Sequence, residues 1–203
     1  ADRRVECIHA SVLELDGRLR SLGLEHGRER AGLVVRHALA RDEIPRLAQQ
    51  LHVQAVFANH DDEPAALARD AQVLGALAHA GIMFHSFKDH VIFERREVLT
   101  QAGHPFGVFT PYKNAWLRKV EPFYLKAYPV GKYASALAPL PPALDAPLPR
   151  LSDIDFETTN LSALPIPTGA RGAQTLVEDF ADRIERYDST RDFPAIKGPS
   201  YLS

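Results

Sequence analysis

The sequence predicts an α/β fold, a parallel sheet with helices on both faces, followed by a long proline-rich linker and a terminal helix. Three observations carry this. Short apolar, β-branched runs alternate with segments whose apolar residues recur every three or four positions. Proline becomes dense between residues 129 and 167. The helical spacing then returns near the C-terminal end.

Val5, Ile8, Val12, Leu15, Leu19 and Leu22 form the stripe of a first helix, with Gly23 as its stop. Leu33-Val34-Val35-Arg36-His37 reads as a buried parallel strand. Asp42 is expected as the next N-cap, with Pro45 in the first turn and Ile44, Leu47, Ala48 and Leu51 facing inward. Ala55-Val56-Phe57-Ala58-Asn59 is a second strand, and residues 65–80 a helix stopped by Gly81. Ile82 to Phe87 make the third strand, and Val34, Val35, Val56, Phe57, Ile82 and Phe84 are expected in its core. Thr110 and Pro111 open a helix over residues 112–126. From 128 to 168 the prolines exclude helix and central strand. Leu137, Leu140, Leu148, Leu151, Ile154 and Leu161 would pin that stretch down. Leu176, Val177, Phe180 and Ile184 mark a last helix over 170–187.

The chain has 203 residues and a formal charge of −2, which excludes a basic nucleic-acid footprint over the chain as a whole. No apolar run reaches the roughly 18 residues that span a bilayer, so no membrane partner is expected. The stretch Ala1–Glu6 lacks the core of a signal peptide, and Cys7 stands alone, so a reducing cytoplasm is expected. The opening on a helix and the stop at Ser203 read as a fragment at both ends.

Local chemistry is sparse. His60-Asp61-Asp62-Glu63 sits beyond a strand's carboxyl end, where open sheets bind ligands, but its residues are consecutive and read as a solvated acidic loop rather than a metal site. His85, Lys88, Asp89 and His90 have no serine or cysteine elbow beside them and read as strand-end packing. No phosphate-binding glycine motif occurs, since Gly27 to Gly32 and Gly169 to Gly172 are wrongly spaced. Neither catalytic nor metal-ligating residues are expected.

Several ordered stretches resemble the photolyase/cryptochrome flavoprotein family. The most specific is Val108-Phe109-Thr110-Pro111-Tyr112-Lys113-Asn114-Ala115-Trp116. Lys88 to Glu94, Glu97 to Thr100, and Glu63-Pro64 with Arg69-Asp70 match in order and spacing. At the far end Tyr187, Arg191-Asp192 and Pro194 lead into Gly198-Pro199-Ser200-Tyr201-Leu202-Ser203. The resemblance implies a Rossmann-like antenna domain over 1–127 with its opening strands missing. It implies an interdomain linker over 128–169 and the start of a helical FAD-binding domain over 170–203.

By the same resemblance the parent protein is a deoxyribodipyrimidine photolyase, a carbon–carbon lyase of DNA repair. It would reverse cyclobutane pyrimidine dimers with light and reduced FAD, as a monomeric cytoplasmic flavoprotein. UV-damaged DNA would bind through a C-terminal domain outside this chain, which alone would be inactive. A cryptochrome-type photoreceptor on the same scaffold is the alternative. Carried over residue by residue, Tyr187, Ser200, Leu202 and Ser203 match positions holding FAD, and Arg191 matches a contact to the DNA backbone. Pro199 replaces a threonine and removes one hydroxyl and one N–H. Ala65-Ala66 stand where folate-binding members carry an Asn-Glu pair. The antenna chromophore is therefore left open between a deazaflavin, a flavin, a differently held folate and none.

Overall fold

The structure, a computed structural model, describes residues 1–193 and 195–196. It divides into two compact units, one formed by residues 38–128 and one by residues 1–37 with the described residues from 129 onward.

In the first of these, β1 (Ala55–Asn59) and β2 (Met83–Phe87) pair in parallel, with Val56 opposite Phe84 and Phe57 opposite His85. The crossover between them is α3 (Pro64–His79), which opens on its proline and closes at Gly81, where φ is +71°. Before β1 comes α2 (Ala40–Gln50). Ala48 of α2, Val73 and Leu77 of α3 and Ile82 form a core, joined by Ile44, Val53, Val56 and Phe84. Leu77 and Val73 are fully buried. This core lies on one face of the sheet.

The expectation that Phe57 is buried is overturned: it is 68 % exposed. Alternation along β1 turns Val56 toward the core and Phe57 to the opposite face, where it stacks on His85 and Phe87. Leu33–His37 is likewise not a strand, because among the described residues the ladder consists of β1 and β2 and this run has no partner within it. The start of α2 also shifts. Leu39 is its N-cap, and Pro45 sits inside the helix instead of in its first turn.

The last helix of this unit, α4, spans Phe109–Lys119 with Val108 at its cap, so it begins earlier and ends sooner than 112–126. Pro122 accounts for the early stop, since a proline disfavours helical backbone in the residue before it.

The other unit is organised by α1 (Arg3–Glu25). Asp2 caps it by accepting the Arg4 N–H at 2.8 Å, and the Arg4 guanidinium together with that N–H brings the Asp2 carboxyl down to about 2. The helix runs past Gly23. A Cβ there would come within 2.6 Å of the Ala31 side chain, so the glycine permits a close approach, and the left-handed turn falls at Gly27 instead. Ile8 and Leu15 of the anticipated stripe are exposed, while Asp16 is buried.

The linker is ordered without sheet or long helix, through three short 3-10 turns at Val130–Ala136, Leu151–Ile154 and Leu161–Ala163. Leu140 and Leu144 are buried, and Leu137, Leu148, Leu151, Ile154 and Leu161 are half-buried, as expected of residues that pin the stretch. After it comes α5 (Gly169–Ala181). The expected single helix to 187 is broken, because Arg183 leaves helical backbone with φ −130° before a 3-10 turn at Ile184–Arg186 and the short α6 (Tyr187–Thr190). No helix among the described residues is long and apolar enough to cross a membrane.

Candidate functional site

Two of the anticipated site residues fall together. Tyr187 opens α6, and the Arg191 N–H closes it by donating to the Tyr187 carbonyl at 2.9 Å. The Tyr187 ring meets Phe180 edge-on at 5.4 Å, which fixes the ring and leaves its hydroxyl without a hydrogen-bond partner among the described residues. A phenol in that condition can donate to a phosphate oxygen. Arg191 reaches Asp192 at 3.8 Å, with both side chains more than half exposed. An exposed pair of that length is worth little, so the guanidinium can exchange Asp192 for a phosphate. Ser200, Leu202 and Ser203 lie outside the described residues, as does Pro199.

The strand-end loops form a second, separate constellation. His60, just after β1, pairs through Nε2 with the Glu94 carboxylate. Asp62 accepts from the Arg95 guanidinium, and Asp61 accepts the Glu63 N–H at 3.0 Å. The acidic loop is thus spent on loop contacts, and among the described residues no three His, Cys, Asp or Glu side chains converge as metal ligands would.

Beyond β2, Lys88 binds Glu97 at 2.7 Å. The Lys88 ammonium and then the Glu94 N–H hold the Glu97 carboxyl below its usual range, and Glu97 raises Lys88 in turn. The His90 N–H and the Asn59 amide similarly lower Asp89. Trp116, half-buried on α4, packs edge-on against the buried Phe93 at 5.7 Å. Ala65 and Ala66 lie in the first turn of α3, with Ala66 buried.

Between α3, β2 and the loop of residues 94–97 lies a cavity of about 620 Å3. Leu67, Ala71, Leu74 and Phe84 supply apolar wall, and His60, Asp70, Ser86, Glu94 and Arg96 supply polar groups. Asp70 accepts from Arg69 through Oδ1 at 2.8 Å, while its Oδ2 is buried without a partner. Sequence reasoning passed over Asp70 as a functional group, although the Arg69-Asp70 pair was visible. Nothing in a single sequence says that one carboxylate oxygen will be left over.

The DNA photolyase family model matches residues 1–132. The deoxyribodipyrimidine photo-lyase of Synechococcus sp. is 32 % identical over 198 residues, covering 96 % of this chain and 40 % of that protein. The enzyme of the same name from Halobacterium salinarum is 31 % identical over 206 residues, covering 100 % of this chain and 40 % of its own length. The crystal structure of a bacterial class III photolyase from Agrobacterium tumefaciens superposes with a TM-score of 0.75 over 97 % of this chain and 39 % of that one, at 24 % identity. That likeness supports the fold, and the chain spans about 40 % of the length of these curated relatives. With the family model matching well over half of its residues, the chain belongs to the DNA photolyase family.

Proposed function

We propose that this chain is the light-harvesting part of a deoxyribodipyrimidine photolyase, which splits cyclobutane pyrimidine dimers in DNA under blue light. The observation that carries the proposal is the family match over residues 1–132, joined by relatives named deoxyribodipyrimidine photo-lyase that align with nearly the whole chain. In this reading residues 1–127 form the antenna domain, 128–169 the linker, and 170–203 the entry to an FAD-binding helical domain.

Bound reduced flavin would supply the electron that opens the dimer. Tyr187 would donate its hydroxyl to an FAD phosphate, and Ser200, Leu202 and Ser203 would continue that contact. Arg191 would clamp a DNA phosphate beside a lesion flipped out of the helix. The partner is UV-damaged DNA, and the proposed location is the cytoplasm. The second chromophore is proposed to be a deazaflavin, a flavin or a folate held by groups other than Ala65 and Ala66.

The test uses the complete reading frame. Purified protein should be yellow, bind dimer-containing DNA and remove the dimers only under illumination. Dimers that persist under blue light in the presence of reduced flavin would refute the repair reading. In the same protein Arg191→Ala should weaken binding to damaged DNA and flatten its salt dependence by about one unit of slope, with flavin content unchanged. Unchanged binding and slope would make Arg191 a structural residue.

A further inference from the structure

Tyr187 stands on a weak support. α6 is four residues long, and a helix of one turn does not hold itself in water. The Ser189 and Thr190 hydroxyls donate to the Arg186 carbonyl, which closes the turn without tying it to anything larger. Phe180, in the last turn of the thirteen-residue α5, supplies a tie. In an unbroken helix, residues seven apart are separated by about 10 Å along the axis. The break at Arg183 instead lets the Phe180 and Tyr187 rings meet edge to face, with centroids at 5.4 Å and planes at 88°. Phe180 is itself held. The Arg183 guanidinium lies over its ring at 5.3 Å and donates to Asp179 Oδ2 at 3.1 Å. The Arg183 side chain is 14 % exposed, so its contacts with the ring and with Asp179 are largely shielded from water. Asp179, Arg183, Phe180 and Tyr187 thus make one chain of contacts across the bend.

We propose that Phe180 is a positioning residue for the flavin phosphate contact: it aims the Tyr187 hydroxyl, which does the donating. The inference rests on the reading of Tyr187 as a donor to an FAD phosphate. A phenol has one O–H to give, and its direction follows the ring. A side chain on a single exposed turn loses affinity for every rotation that binding must freeze. Edge-to-face packing removes part of that freedom before the ligand arrives, because it constrains the angle between the rings as well as their distance. An aliphatic side chain of similar bulk fills the space and leaves the ring free to turn. Phe180 is half-buried and Tyr187 is 38 % exposed, so the contact covers little core and its value lies in orientation.

The test uses protein from the complete reading frame, freed of flavin and titrated with FAD by fluorescence quenching. Tyr187→Phe should weaken FAD about ten-fold, the loss of one hydrogen bond to a charged group. Phe180→Leu should weaken it at least about three-fold. The double variant should bind no more weakly than Tyr187→Phe alone, since a hydroxyl that is absent cannot be misdirected. Phe180→Tyr, which keeps a ring against Tyr187, should bind FAD as the parent does. If the losses of Phe180→Leu and Tyr187→Phe multiply in the double variant, Phe180 supports the fold without aiming the phenol, and the inference fails. It fails equally if Phe180→Leu keeps full affinity while Tyr187→Phe is weakened, or if Phe180→Tyr is as weak as Phe180→Leu. Full affinity in Tyr187→Phe would remove the donor itself, and with it both the reading of Tyr187 and the inference.

Discussion

The two units are ordered by different physics. Residues 38–128 are held by a small apolar core, in which Leu77 and Val73 are fully enclosed between two helices and a sheet. Residues 1–37 and the described residues from 129 onward bury Ala31, Ala134, Leu140 and Leu144, and add to them a row of polar clasps from α1 and the turn after it. Glu6 accepts the Thr159 N–H at 2.8 Å, His9 meets the Pro149 carbonyl at 2.8 Å, and Arg28 donates to the Ser135 carbonyl at 2.5 Å. Arg20 bridges Asp16 at 2.8 Å and Asp145 at 3.2 Å, and Asp16 also accepts the Leu33 N–H at 2.8 Å. Glu14 accepts the Arg171 N–H at 3.2 Å. A proline-rich segment lacks the N–H groups for a ladder, so its remaining polar groups must be met by side chains. Apolar burial is non-directional, whereas each clasp depends on one charge at one place.

The sharpest way to break the comparison is Leu77→Ala. It should cost about 2–5 kcal/mol through lost burial and a residual cavity, read as a lower urea midpoint. A loss under about 1 kcal/mol would mean that the core does not hold this unit.

Asp16→Ala should cost less, about 1–3 kcal/mol, because it strands the Leu33 N–H and one contact of Arg20. Paired with Asp145→Ala, the two changes should fail to add by at least about 0.5 kcal/mol, since both work through Arg20. Strict additivity would show that the clasps act singly.

Acid should separate the two modes of order. Burial works against the charge on Asp16, but the Arg20 guanidinium and the Leu33 N–H outweigh it and hold the carboxyl below its usual range. A folded value below the unfolded one means that the stabilisation is complete above the unfolded carboxylate pKa of about 4 and is lost as pH falls through the folded value. Urea midpoints recorded from neutral pH downward should therefore fall less steeply in Asp16→Asn than in the parent chain. Parallel curves would remove Asp16 from the acid response.

The smallest effect is expected at Phe57. With this ring on the open face of the sheet, Phe57→Ala should change stability by less than about 1 kcal/mol, against the 3–5 kcal/mol of an enclosed phenylalanine.

Much of this architecture was legible in the sequence. Ala55–Asn59 was readable to the residue, because a β-branched run bounded by polar residues has few other local solutions. The end of α3 followed from Gly81, whose backbone preference acts without a partner, while its start lies at Pro64, one residue before the expected 65. The strand expected at Leu33–His37 was not obtained, because a strand also needs a neighbour to pair with. Of the candidate site, Tyr187 and Arg191 could be placed by their motif and do share one turn. The surplus oxygen of Asp70 could not be foreseen, since its neighbours come from three separate elements.

Taken alone, the amino-acid order determined what is local. It set which stretches are helical, where proline forbids regular structure, and a family likeness carried by ordered short motifs. The tertiary structure decided which face of each element is covered. Val56 and Phe57 are adjacent and both strongly apolar, yet one enters the core and the other does not. Asp16, charged and set on α1, is buried where Arg20 one turn on and the Leu33 N–H from beyond the helix meet it. Burial and pairing are properties of neighbours, and neighbours distant in the chain are set only by the fold.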